Sequence, residues 1–160
     1  MRVRRAVPDD LVELLDMYET VAAERIHIGG EAPVDRERRR TAWLDTMDPE
    51  TPGTSLVATV DGEIAGQLGL TGAGRMQLGM WVAQEWRGKG VGSALVRAAL
   101  EHARANGAYK VSLEVWPHNA AAIALYEKFG FEREGYLRKH WRRRNGELWD
   151  SVVMGLVLDD

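Results

Sequence analysis

The 160-residue chain has no cysteine. Disulfides, thiolate zinc sites and any mechanism through an acyl-cysteine are therefore excluded. Long apolar runs are missing too. The longest nearly unbroken one, residues 152–158, is the size of a strand, whereas a membrane span needs about 20 residues, so no membrane partner is expected. The amino terminus, Met1-Arg2-Val3-Arg4-Arg5, is basic, but Pro8-Asp9-Asp10 stands where a secretory signal would carry about 7 to 15 apolar residues. A cytoplasmic protein is the expectation.

A large charge imbalance is also absent. With 21 Lys and Arg against 24 Asp and Glu, the net charge is -3, and no nucleic-acid partner held by counterion release is expected. The basic stretch 138–144 surrounds Trp141, but on a strand its side chains would alternate faces and form no continuous stripe. His27, His102, His118 and His140 show no metal-ligand spacing, no carboxylates pair in a liganding pattern, and no metal is expected. Ser93 follows a glycine but stands in no Gly-x-Ser-x-Gly elbow.

What is present is the composition of one soluble domain, 45% hydrophobic and 28% charged, with no repeat, linker or low-complexity tract across residues 1–160. Residues 3–7 read as a strand, after which Asp9 or Asp10 can cap a helix carrying Leu11, Leu14, Leu15, Tyr18 and Val21 at helical spacing. Residues 35–47 are a second helix, and its arginines read as a solvated face. Strands at 55–60 and 63–70 flank Asp61-Gly62, the signature of a hairpin with a type I′ turn, and a strand at 75–82 follows. Beyond it come a helix from Val91 to before Gly107, a strand at 110–116, and a helix at 119–129 stopped by Gly130. Strands at 131–144 and 147–158 flank a second hairpin signal, Asn145-Gly146. The order β-α-α-β-β-β-α-β-α-β-β predicts an α/β (mixed α+β) domain: a central mixed sheet flanked by helices.

Two constellations carry chemistry. Gly88, Gly90 and Gly92 alternate between a strand and a helix, where bare backbone N–H groups and a helix N-terminus can receive an anion. Arg87 and Lys89 place two mobile cations beside them, a combination suited to a diphosphate, although glycine also punctuates ordinary strand-to-helix joints. A P-loop is ruled out because Gly88-Lys89 is followed by Gly90, not Ser or Thr. A dinucleotide fingerprint fails at Ser93 or at Leu95, according to the starting glycine. In the second constellation Asn119 and Tyr126 lie seven apart, two turns along one helix face, with alanines between them that leave room for a slender ligand. Each has a plainer reading, Asn119 as an N-cap and Tyr126 as a core aromatic.

The spelling Arg87-x-x-Gly90-x-Gly92, followed by Leu113-Glu114-Val115, Asn119-x-x-Ala122-x-x-x-Tyr126 and Gly130-Phe131, resembles the GNAT superfamily of acyl-CoA-dependent N-acyltransferases. The resemblance implies a single GNAT-like domain with a mostly antiparallel sheet and acetyl-CoA as donor. It implies that the diphosphate lies on Arg87, Gly88, Lys89, Gly90, Val91, Gly92 and Ser93, and that the pantetheine arm pairs with Met80, Trp81 and Val82. Asn119, with Ala122 beside it, would hold the arm, and Tyr126 would sit near the sulfur. The spacing of Glu114 and Tyr126 is similar to that of ribosomal-protein N-terminal acetyltransferases, where those positions serve as base and acid. The segment 135–158 looks instead like small-molecule amino-acid acetyltransferases. Many relatives carry an acid where this chain has Gln77, which moves the proton-accepting role to Glu114 or water.

Acetyl transfer to an amine needs a neutral nucleophile, a polarised thioester carbonyl and a proton for the thiolate. A lysine-like amine costs about 4 to 5 kcal/mol to neutralise at pH 7 and an α-amine about 1 to 1.5 kcal/mol, so Glu114 acting through water suffices for the latter. Backbone N–H groups of residues 80–82 would polarise the carbonyl, and Tyr126 would protonate the thiolate. The sequence thus points to N-acetylation of a primary amine, a small molecule such as an amino acid, by direct attack in a ternary complex. The alternatives are a protein N-terminal acetyltransferase and a non-catalytic CoA- or amine-binding module. The exposed edge of the last hairpin makes a homodimer an expectation.

Overall fold

Leu11, Leu14, Leu15, Tyr18, Val21 and Ala22 recur at helical spacing, and all six are buried on one side of α1 (Leu11–Ala23). In the computed structural model, which describes residues 1–158, this helix and α2 (Arg36–Met47) cover one face of a seven-stranded sheet. The strands are β1 (Arg2–Arg5), β2 (Thr54–Val60), β3 (Glu63–Gly72), β4 (Arg75–Val82), β5 (Lys110–Val115), β6 (Glu132–Arg142) and β7 (Leu148–Val157). Their order across the sheet is β1-β2-β3-β4-β5-β7-β6. The opposite face is covered by α3 (Val91–Ala105) and α4 (Ala120–Lys128). Leu68, Leu70, Met76, Leu95, Val96 and Met154 build the core on that side, while Leu14, Val21, Val57, Ile64 and Trp81 build the other. Strands of the middle of the sheet are covered on both faces, which is why β2 reads as a continuous buried run at residues 54–58.

Every neighbouring pair is antiparallel except β4 and β5. Those two run parallel because α3 crosses between them, and they pair only at Arg75 with Lys110, Met76 with Val111 and Gln77 with Ser112. Farther along, residues 78–82 keep their partners on β3 and residues 113–115 keep theirs on β7, but the two strands part from each other. A gap opens in the middle of the sheet, flanked by the start of α3 and by α4.

The first hairpin has the form its Asp-Gly pair announces: Asp61 (φ +51°) and Gly62 (φ +83°) are both left-handed, as a type I′ turn requires. At the second hairpin only Gly146 is left-handed (φ +91°). The Gly146 N–H donates to the Arg143 carbonyl at 2.9 Å and the Arg143 N–H to the Glu147 carbonyl at 2.7 Å, so the loop is one residue longer. Neither aspartate caps α1 with its side chain. Asp10 instead accepts the Val7 N–H at 2.8 Å and both ends of the Arg4 guanidinium at 2.8 and 2.9 Å, and that pairing holds its carboxyl below the usual carboxylate range. β1 consequently ends at Arg5, short of the expected Val7, where the chain turns through a 3-10 helix (Pro8–Asp10).

Candidate active site

β4 ends at Val82, and a short 3-10 turn (Gln84–Trp86) leads into the glycine loop. Gly88 (φ +72°) and Gly90 (φ +87°) hold left-handed backbone that a side chain would oppose. Gly90 is also the N-cap of α3, offers no capping side chain, and precedes a first turn without an acidic residue. The N–H groups of Val91, Gly92 and Ser93 thus lack intrahelical partners at the positive end of a 15-residue helix. Such a cradle suits a diphosphate. Gly92 serves differently: a Cβ there would lie 2.9 Å from Leu125 Cδ2 and 3.6 Å from Met80 Cε, so its bareness lets α3 close on α4 and β4.

Arg87 is not the mobile cation its position suggests. Its Nη1 and Nη2 donate to the two carboxylate oxygens of Glu24 at 2.6 and 2.8 Å, and its Nε donates to the Val82 carbonyl at 3.0 Å. Glu24 is the C-cap residue of α1, delivered from far along the chain by packing, and no local spacing reports it. The Arg87 hydrogen bonds hold the Glu24 carboxyl below the ordinary glutamate range. Lys89 lies over the Trp86 ring, 5.2 Å from its centroid, and Ser93 Oγ accepts from Lys128 Nζ at 3.3 Å.

Across the gap, Asn119 caps α4 through its Oδ1, which accepts the Ala122 N–H at 3.2 Å. Tyr126 lies two turns on, 6% exposed and edge-on to Phe131 at 5.6 Å between ring centroids. Burial pushes its phenol well above the ordinary tyrosine value, so the group stays protonated, and its hydroxyl makes no hydrogen bond to a described residue. The plainer readings of both residues are therefore structurally real. Met80 and Val82 pack toward α3 while Trp81 points to the α1 face, where its Nε1 donates to Gln67 Oε1 at 3.0 Å and Gln67 Nε2 donates to Ser55 Oγ at 3.0 Å. This buried chain locks the indole in place, and Gln67 is a residue that sequence patterning does not single out.

On β5, Glu114 Oε1 accepts from Ser151 Oγ at 2.8 Å and from Trp141 Nε1 at 3.0 Å, which fixes the carboxylate on an exposed face. The connection from α1 to α2 lies against the same end of the sheet. Trp116 Nε1 donates to the Ile28 carbonyl at 3.2 Å, and His118 Nε2 lies 2.7 Å from the Ile26 carbonyl. From the hairpin, Arg143 Nη1 donates to the Gly29 carbonyl at 2.9 Å, the Arg144 N–H to Glu31 Oε2 at 3.0 Å, and Arg144 Nη1 to the Pro33 carbonyl at 2.9 Å. Arg143 itself is 5% exposed, with its guanidinium 4.9 Å from the Trp116 ring centroid and 4.5 Å from that of Trp149. Its Nε and Nη2 have no hydrogen-bond partner, an arrangement that costs about 1 to 3 kcal/mol for each donor left unsatisfied. Three consecutive arginines at 142–144 read as a surface run, and only the pairing of β6 with β7 turns the middle one inward. Among the described residues no group of three metal-ligating side chains occurs, and no helix is long and apolar enough to cross a membrane.

Residues 14–131 match the family model described as the acetyltransferase (GNAT) family. The L-methionine sulfoximine/L-methionine sulfone acetyltransferase of Pseudomonas aeruginosa is 29% identical over 98% of this chain and 94% of its own length. The L-amino acid N-acetyltransferase AaaT of Escherichia coli is 35% identical over 72% of this chain and 75% of its own. Among solved structures, a ribosomal-protein-alanine N-acetyltransferase from Brucella melitensis aligns with a TM-score of 0.88 at 28% identity, covering 99% of this chain and 100% of that one. A GNAT superfamily phosphinothricin acetyltransferase from Sinorhizobium meliloti, in complex with acetyl-CoA, shares the fold with a TM-score of 0.87 at 20% identity, covering 98% and 88%. The chain, with its anion cradle and its sheet parted between β4 and β5, belongs to the GNAT acetyltransferase family of acetyl-CoA-dependent N-acetyltransferases.

Proposed function

We propose that the enzyme acetylates the amine of a small, amino-acid-like acceptor by direct attack on acetyl-CoA in a ternary complex. One observation carries the choice of acceptor: five hydrogen bonds tie the α1–α2 connection to the end of β5 and to the β6–β7 hairpin. The acceptor end of the gap is thereby walled, which suits a small molecule better than an extended polypeptide. The names of the Pseudomonas aeruginosa and Escherichia coli relatives support the same class.

In this reading the loop N–H groups of residues 88–93 receive the diphosphate, Lys89 adds charge at the rim, and the arm lies along Met80, Trp81 and Val82 with Asn119 and Ala122 opposite. Glu114, oriented by Ser151 and Trp141, accepts the amine proton through water. Tyr126 supplies the proton to the departing thiolate; the desolvation that keeps the phenol neutral also makes a thiolate beside it more basic. Direct attack needs no covalent enzyme intermediate, and the remaining rate comes from positioning. The whole chain acts as one domain in the cytoplasm. A homodimer through the exposed Tyr136, Trp141 and Leu148 of the β6–β7 edge belongs to the same reading.

The second reading, acetylation of a protein N-terminus, draws on the spacing of Glu114 and Tyr126 and on the Brucella melitensis structure. Thiol release from acetyl-CoA, followed with free amino acids, polyamines and peptides bearing a free N-terminus, separates the two. Free amino acids are expected to turn over best. Peptides outpacing every free amine would install the second reading in place of the first.

A further inference from the structure

Arginine stays charged at any ordinary pH, and a charge shut away from water is kept only where something pairs with it. Arg143 is shut away and incompletely paired. Of its donors, Nη1 has the Gly29 carbonyl, but Nε and Nη2 have no hydrogen-bond partner. Those two atoms form one edge of the guanidinium, the pair of parallel N–H bonds that a carboxylate meets with both oxygens. Glu31 comes within 3.9 Å of Nε, too far for a hydrogen bond, and its other oxygen is already taken by the Arg144 N–H. The indole rings of Trp116 and Trp149 lie against the guanidinium and fix its position. This is a fork held in place by two indoles, with a carboxylate near it but no hydrogen bond to its Nε–Nη2 edge from any described residue.

Its place in the sheet supplies the rest. Trp141 lies opposite Trp149, and Glu114 opposite Val153, so Trp141 on β6 and Trp149 and Ser151 on β7 share the face that carries Glu114. Arg143, one residue past the end of β6, packs on Trp149 at the hairpin end of that face. Trp141 and Ser151 hold the Glu114 carboxylate, while Trp149 holds Arg143. One sheet face thus presents a carboxylate at one end and an unfilled guanidinium edge at the other, under the α1–α2 connection. A zwitterion has the complementary order of charge.

We propose that Arg143 is the acceptor-specificity residue: its Nε–Nη2 edge binds the carboxylate of an amino-acid acceptor whose amine lies toward Glu114, with residues 26–33 shifting to admit it. This rests on the small-acceptor reading above and narrows it to amines that carry an anionic carboxyl group.

The test compares kcat/KM for free L-α-amino acids with that for the corresponding primary amides, in wild type, Arg143→Lys and Arg143→Met. Wild type is expected to favour the acid by about 100-fold or more, since a site built around a bidentate charged contact rejects an analogue lacking its partner. Both variants should lose most of that preference through KM for the acid, with KM for acetyl-CoA unchanged. Arg143→Lys keeps the charge and the stem between the indoles, so it separates loss of the fork from loss of fold. Calorimetric titration of the wild-type complex with CoA, using L-amino acids and their amides as probes, reads the fork without turnover: tighter binding of the acid supports the assignment. Equal binding of acid and amide, no binding of the acid, or an Arg143→Met enzyme that still prefers acids would overturn it. If calorimetry favours the acid while no amine is acetylated, the fork stands and the catalytic reading falls; if amides are acetylated as fast as acids, the reverse holds.

Discussion

Replacing Tyr126 by phenylalanine removes one oxygen from a side chain that is 6% exposed and packed against Phe131. The hydroxyl makes no hydrogen bond to a described residue, so the substitution breaks no internal bond and leaves the ring contacts in place. Stability should therefore change by about 1 kcal/mol or less, the typical size of a single-residue change, because no hydrogen bond is lost and the ring stays packed. If the phenol protonates the departing thiolate, the same change removes a general-acid contribution of about 10² to 10⁴ in rate. At 1.36 kcal/mol per decade that is about 2.7 to 5.4 kcal/mol of barrier. The two magnitudes do not overlap, and this makes the variant decisive: a packing residue would leave both melt and turnover nearly unchanged, whereas a proton donor would show itself in the turnover alone. Steady-state rates with saturating acetyl-CoA, measured from pH 6 to 10 beside thermal melts, give both numbers. The expected result is a large fall in kcat across the whole pH range, because the raised phenol stays protonated throughout it, with unchanged KM for acetyl-CoA. Near-wild-type turnover in a stably folded Tyr126→Phe protein would refute the assignment and return Tyr126 to the core.

Three further outcomes are expected. Gly90→Val forces a β-branched residue into φ +87°, so it should lose about 1 to 3 kcal/mol in a melt and abolish CoA binding in calorimetry; intact affinity would take the loop out of the donor site. Glu24, whose carboxyl Arg87 holds below the usual range, contributes stability that is fully present above its unfolded value near 4.3 and lost as pH falls through the lower folded value. Acid melts below about pH 4 should therefore be flatter in Glu24→Gln than in wild type. Glu114→Gln should lower kcat/KM more for ε-amines than for α-amines, because the more basic amine needs more help to lose its proton; equal losses, or an unaltered pH profile, would remove Glu114 from the base role.

Features encoded over a few neighbouring residues are legible in the amino-acid sequence itself. The glycines at 88 and 90 declare their backbone angles by being glycine, the buried stripe of α1 follows from its spacing, and Asp61-Gly62 specifies a turn whose angles the structure reproduces. Asn119 is legible in both its readings, and its capping bond is real. The illegible parts are those in which two distant segments meet. Nothing near Arg87 announces Glu24, and nothing near Arg143 says that Trp116 and Trp149 will enclose it. Gln67 is a further case: a glutamine in a strand of small and apolar residues looks like a defect until Ser55 and Trp81 arrive from the neighbouring strands to use both ends of its amide.

The short parallel junction between β4 and β5 has a consequence for how the molecule holds itself together. Three residue pairs are all the backbone register that links strands β1 to β4 with strands β5 to β7. The helix α3 lies over β2, β3 and β4 and so belongs with the first group. Side chains from both groups share one core beneath, so within the sheet the halves are joined mainly by apolar contact and only thinly by backbone hydrogen bonds, with the α1–α2 connection bridging them at one end. Native-state hydrogen exchange should accordingly find its cheapest sub-global opening along this seam, at residues 75–77 and 110–112, well below the energy of opening β2 from β3. A ligand that touches residue 80 on one side and residue 119 on the other acts as a staple across the fault, and its binding should slow exchange there more than anywhere else in the sheet.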